Sequence, residues 1–118
     1  MRLTEEQIER YREDGLLVIE SAFSPDEVAT LCDAYARDCE VPGAHRIEEE
    51  GGYGVRGLYG SHLRQPEFDA LCRDPRFLGP VSQLQDGDVY VFQFKINAKP
   101  AFKGESWAWH QDYIAWKL

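Results

Sequence analysis

Paired cysteines are missing from this sequence, as are the features that would place it at a membrane or on a nucleic acid. Its three thiols, Cys32, Cys39 and Cys72, form no CxxC pair, which leaves no zinc ribbon and no dithiol redox motif. An odd cysteine count without a secretory signal points to reduced thiols and a cytoplasmic setting. Cys32 and Cys39 stand seven apart, so a helix would put them on one face, and buried thiols rather than a disulfide are expected. No apolar run approaches the length of a membrane span. The opening MRLTEEQIER is too polar and acidic for a signal or transit peptide. Basic residues are outnumbered 13 to 21, for a net charge of -8. No nucleic-acid partner is expected, because phosphate binding needs clustered Lys and Arg. Phosphate-loop chemistry is absent too: Gly51, Gly52, Gly54 and Gly57 lack both the spacing and the Lys-Ser/Thr ending. There is no GxSxG elbow. What remains is a chain long enough for one small domain with its own core, suited by its charge to binding a small molecule.

Helix signals are clear near the start. Thr4-Glu5-Glu6-Gln7 fits a capping box, Ile8 and Tyr11 fall on one helical face, and Gly15 is placed to stop the helix. Leu16-Leu17-Val18-Ile19 follows as a short apolar run and reads as a strand. Ser24-Pro25-Asp26-Glu27 opens a second helix, with Ser24 as cap and Pro25 in the first turn. Val28, Leu31, Cys32, Tyr35 and Cys39 recur at helical spacing and read as a core stripe. Glu48-Glu49-Glu50-Gly51-Gly52 reads as a solvated loop, and Tyr53 to Tyr59 as a strand leading inward to a cleft. Pro66 opens a helix carrying Phe68, Leu71 and Cys72. Asp74-Pro75 breaks it, Phe77 to Leu84 forms a further short helix, and Asp86-Gly87-Asp88 turns the chain.

Val89 to Ala98 is the longest strand candidate. Tyr90, Phe92, Phe94, Ile96 and Ala98 line one face, and Val89, Val91, Gln93, Lys95 and Asn97 the other. The second face starts apolar and becomes polar. An exposed strand does this without functional meaning, but a polar row on the inner wall of a barrel supplies hydrogen bonds to a ligand.

Trp107-Ala108-Trp109-His110-Gln111-Asp112 carries the chemistry. In extended chain, residues two apart point to one face. His110 and Asp112 are thereby placed to grip one metal ion, and a His-x-Asp pair with a distant second His is the facial triad of non-haem Fe(II) oxygenases. The pair alone is a weak signal, since chance yields one in about four chains of this composition. Its setting strengthens it: Trp107, Trp109, Tyr113 and Trp116 make a poor surface and a plausible pocket wall. His45 reads as solvated in its loop and His62 lies beside a helix start, so both are weak candidates for a third ligand.

The chain resembles the N-terminal half of phytanoyl-CoA dioxygenase family proteins, Fe(II)/2-oxoglutarate-dependent oxygenases, with a pattern like bacterial members similar to ectoine hydroxylase. LTEEQIERYREDGLLVIESAFSPDEVATL carries the family's helix–strand–capped-helix opening. The most specific stretch is VFQFKINAKPAFKGESWAWHQDYIAW, where Gln-x-x-x-Asn, Lys-Pro, Phe-x-Gly and Trp-His-x-Asp follow in family order. The resemblance implies His110 and Asp112 as two of three iron ligands, Asn97 and Gln93 as contacts to 2-oxoglutarate, and Lys95 and Trp116 beside the substrate. Ectoine hydroxylases have Arg where this chain has Lys95, a point charge without the planar fork, so the substrate is expected to differ. Related halogenases replace the metal carboxylate by a small residue, and Asp112 therefore favours hydroxylation.

The implied fold is α+β, a partial double-stranded β-helix (jelly roll, cupin-like) with N-terminal helices packed on the sheet. A full jelly roll needs about eight strands, and only three or four are legible here. The second metal His and the Arg that pairs with 2-oxoglutarate come later in the family. Residues 1–118 are accordingly expected to be the N-terminal part of a single, truncated oxygenase domain that self-associates through uncovered edges. Three readings stay open: an oxygenase completed by a missing half, an inactive remnant with a two-ligand metal site, and a metal-free small-molecule-binding domain. A free amino acid, a compatible solute and a carrier-bound intermediate all remain open as substrate.

Overall fold

The computed structural model describes residues 1–99, 101, 102, 104, 106 and 108–112. Among these described residues, four helices and a small antiparallel sheet make an α+β arrangement: α1 (Glu5–Asp14), α2 (Pro25–Cys39), β1 (Arg46–Glu48), β2 (Val55–Tyr59), α3 (Pro66–Cys72), α4 (Pro75–Gln85) and β3 (Lys95–Asn97), with a 3-10 turn at Ser61–Leu63.

The helix ends follow from local chemistry. Thr4 Oγ1 accepts from the Gln7 N–H at 3.2 Å while the Thr4 N–H donates to Gln7 Oε1 at 2.9 Å, closing the expected box. Gly15 ends α1 at φ 74°, its N–H bonded to the Tyr11 carbonyl. Ser24 and Glu27 repeat the box at α2. Arg76 then joins two helix starts. Its guanidinium donates to Asp74 Oδ2 and Glu27 Oε1, both at 2.7 Å, and to the Ala22 carbonyl at 3.0 Å, and it lies over the Phe23 ring.

The sheet runs in the order β1-β2-β3, antiparallel throughout. Gly57, Leu58 and Tyr59 face Asn97, Ile96 and Lys95. Backbone bonds from Gly60 N–H to the Phe94 carbonyl and from Ala98 N–H to the Arg56 carbonyl extend this ladder at both ends. Among the described residues the buried apolar side chains are few: Leu3, Ala34, Val55, Leu58 and Phe68. Ala34, Val55, Leu58 and Phe68 belong to α2, β2 and α3, with α2 packed against the other two elements, while Leu3 is tied to Gln83 of α4.

Several expectations are corrected. Residues 16–19 form no strand, and Leu16 and Val18 are exposed. Only 95–97 of the expected 89–98 strand is regular. The reason is common to both: a strand is completed by a ladder, and among the described residues 16–19 and 89–93 pair with no neighbouring strand. On α2 the buried residues are Ala34 and Asp38, while Val28 and Cys32 are exposed; the helix presents a face rotated from the one the apolar stripe marks. The acidic loop also differs. Arg46–Glu48 is a strand, and Glu49 is buried in the turn back to β2, its N–H bonded to the Gly54 carbonyl. That turn needs left-handed backbone at Gly51 and Gly52.

Two outcomes are expected from this architecture. Arg76 holds the Glu27 and Asp74 carboxyls each down to about 2 from 4.5 and 3.8, with backbone bonds at Ser24 and Arg76 helping. Depressed carboxyl values stabilise the fold above the unfolded-state values, and the gain is lost as pH falls from about 4.5 towards 2. Thermal melts should therefore fall steeply over that window in the native chain, and less steeply in Arg76→Met. Separately, Phe77, Leu78, Val81, Tyr90, Val91 and Phe92 are exposed around one open groove of about 770 Å³. Apolar patches of this kind drive association, so light scattering at micromolar concentration should report species larger than a monomer.

Candidate metal centre

β2 and β3 form the floor of a cleft of about 430 Å³ lined by Tyr59, Gln93, Lys95, Asn97, Ala98, Lys99, His110 and Asp112. The alternation of the sheet explains Lys95 and Asn97, which are two apart on β3 and share a face; Gln93, on the irregular chain that enters β3, lines the same cleft. Tyr59 joins them because it lies directly across the ladder from Lys95. His110 and Asp112 arrive from the distant end of the described chain. The polar row and the His-x-Asp pair thus border one hollow.

The pair does not sit on a strand. His110 is irregular chain and Asp112 is helical, yet the side chains converge, with His110 Nε2 3.4 Å from Asp112 Oδ1. His110 Nδ1 lies 2.7 Å from the Ala108 carbonyl oxygen. A carbonyl only accepts, so Nδ1 carries the proton and donates it. In the neutral ring that leaves the Nε2 lone pair facing the carboxylate. A bond from the second ring nitrogen to a backbone carbonyl is the usual support of a metal-binding imidazole. A divalent first-row ion takes imidazole nitrogen and carboxylate oxygen at about 2.1 Å, so donors at right angles stand about 3 Å apart. The observed separation is close to that, and the donor set fits such an ion.

Other candidates fall elsewhere. His45 and His62 are half-buried and do not border this cleft. His45 is thus not the solvated loop residue expected; its carbonyl accepts from the Tyr59 N–H and its ring lies close to Gly43. His62 packs its ring on Phe94 at 5.2 Å and lines the larger apolar groove, which Gln93 and Asp112 also border. Among the described residues no group of three or more His, Cys, Asp or Glu could hold a metal ion. Trp109 is fully exposed, so it is not the pocket wall its neighbours implied; Trp107, Tyr113 and Trp116 lie outside the described residues. Tyr59 and Lys99 were not legible as site residues, since only the strand register brings Tyr59 under Lys95.

Beneath the cleft, Asp38 is fully buried and takes two bonds of 2.8 Å from Arg64 Nε and Nη2. Arg64 Nη2 also donates to the Tyr59 carbonyl at 2.9 Å. Burial pushes the Asp38 carboxyl up, but Arg64, with smaller help from Ser61 and Gln65, outweighs it and holds the group below its ordinary value.

Residues 11–118 match the profile of the phytanoyl-CoA dioxygenase (PhyH) family. The chain belongs to that family. It is 36% identical over 98% of its length to an ectoine dioxygenase from Bordetella parapertussis, and 37% identical over 91% to an L-proline trans-4-hydroxylase from Streptomyces griseoviridis. It spans 39% and 40% of those proteins' lengths. Its fold superposes on crystal structures of EctD from S. alaskensis, one with 2-oxoglutarate and 5-hydroxyectoine (TM-score 0.89) and one with bound Fe (TM-score 0.88). Both are 29% identical, with 97% of this chain covered and 42% of theirs. No helix among the described residues is long and apolar enough to cross a membrane.

Removing the carboxylate under the floor should unsettle the whole sheet. Breaking a buried ion pair from one side costs about 3 kcal/mol. Asp38→Ala should therefore lower the urea midpoint by an amount equivalent to that loss, with Asp38→Asn in between.

Proposed function

We propose that this chain is the N-terminal part of a single Fe(II)- and 2-oxoglutarate-dependent oxygenase domain that hydroxylates a small molecule, built on a double-stranded β-helix. The observation that carries the reading is the convergence of His110 Nε2 and Asp112 Oδ1 beside the polar row of β3. Family membership and the Fe and 2-oxoglutarate of the similar EctD structures support it.

In this reading His110 and Asp112 hold Fe(II), which with 2-oxoglutarate supplies the oxidising power for C–H hydroxylation. The protein contributes donors, orientation and charge. The Ala108 carbonyl keeps the His110 proton on Nδ1 and so keeps Nε2 available. Asp112 offsets metal charge. The amides of Asn97 and Gln93 offer both donors and acceptors to the oxygens of 2-oxoglutarate. Lys95 meets the substrate, and Trp116, outside the described residues, belongs with it. Asp112 at the metal favours hydroxylation over halogenation.

A second reading has one observation in its favour. Among the described residues His110 and Asp112 have no third ligand near them, which suits a two-ligand site that binds metal weakly without turnover.

Anaerobic titration with Fe(II) separates these readings from a metal-free binding domain. Binding should weaken at least about tenfold in His110→Ala and in Asp112→Ala and stay unchanged in His45→Gln. Equal affinity in all variants would remove the metal from the argument. The 118-residue chain by itself should bind metal without forming succinate from 2-oxoglutarate. Clear iron-dependent succinate formation would sink the two-ligand reading.

A further inference from the structure

We propose that residues 1–3 are a strap that holds the second half of α4, and with it one wall of the open apolar groove. The contacts are specific. The Leu3 N–H donates to Gln83 Oε1 at 2.7 Å, and Gln83 Nε2 donates back to the Leu3 carbonyl at 3.2 Å. One side-chain amide thus meets both backbone groups of Leu3, as a neighbouring strand would. The Leu3 side chain is buried. The Met1 nitrogen donates to the Pro75 carbonyl at 3.2 Å. Between these points the Met1 carbonyl passes so close to Gly79 that a methyl group there would run into it.

The sequence of α4 shows what the strap is for. The start of the helix is anchored: Asp74 caps it, Arg76 joins it to Glu27, and Phe77 meets the Phe23 ring at 5.9 Å. Gly79 and Pro80 then stand in its interior. Glycine there is about fivefold less favourable to helix than alanine. Pro80 has no N–H for the Arg76 carbonyl four residues back. The helix is therefore weakest between its anchored start and residues 81–85, and Gln83 ties that second half to Leu3.

Helical spacing places the strap behind the groove wall. Gly79 and Gln83 are four apart and share a face. Phe77 and Val81 are also four apart, about 160° around the helix from Gly79, and both line the groove. The strap backs α4 on the side away from the groove. Gln93 and Asp112 border both this groove and the metal cleft, so a loosened wall would be felt beside the His-x-Asp pair. The inference does not depend on what that cleft binds.

Hydrogen exchange read at single amides of the whole chain tests it. In the native protein the Leu3 amide should be protected. Gly79→Ala should remove that protection and lower protection of 81–85 by at least about fivefold, whereas helix propensity alone predicts a rise of that size. Amides of α2 around Ala34 should not change. Gln83→Leu, nearly neutral in propensity, should act on Leu3 and 81–85 in the same way. With the strap already released by Gln83→Leu, adding Gly79→Ala should raise protection of 81–85, reversing its sign. An unprotected Leu3 amide in the native chain overturns the proposal, and that reading needs no variant to fold. So does a gain at 81–85 in Gly79→Ala alone, or a loss in α2 equal to the loss in α4. None of these readings involves metal, so the Fe(II) titration stands or falls separately.

Discussion

A carboxylate sealed inside the protein, Asp38, is tolerable only because Arg64 meets both of its oxygens. Isolated, the charge would be costly, since desolvation is not returned without a partner of matching geometry. The guanidinium fork supplies that geometry and has one donor contact left for the Tyr59 carbonyl. Three parts of the molecule meet there: the end of α2, the exit of β2 and the turn that leads to α3. The left-handed Gly60 and the 3-10 turn follow directly. The joint ties α2 to the sheet beside an apolar core that, among the described residues, consists of only a few side chains.

The joint matters to the cleft because strand register decides which side chains share it. Tyr59 stands opposite Lys95, and Asn97 lies two residues on along the same face. A slip of one residue would send Lys95 and Asn97 to the other side and bring Ile96 into the cleft. The polar row is therefore a consequence of pairing with β2, whose exit Asp38 and Arg64 anchor through the Tyr59 carbonyl. His110 and Asp112 are brought against this floor from outside the sheet, and their mutual approach is local, with Ala108 fixing the ring.

Legibility followed the range of the forces involved. The capping boxes at Thr4 and Ser24 and the stop at Gly15 were readable because their bonds span three or four residues. The His-x-Asp pair and the row from Gln93 to Asn97 were readable for the same reason. Strands were legible only in part, because β structure is completed by a partner remote in sequence: the strand read at 53–59 is present as β2 and the end of the one read at 89–98 as β3, but 16–19 and 89–94 look like strands and are not, and Arg46–Glu48, which nothing local marks as a strand, pairs with β2. Asp38 shows the limit most sharply. Nothing in its own stretch of sequence marks it, and Arg64, 26 positions away, makes its burial possible.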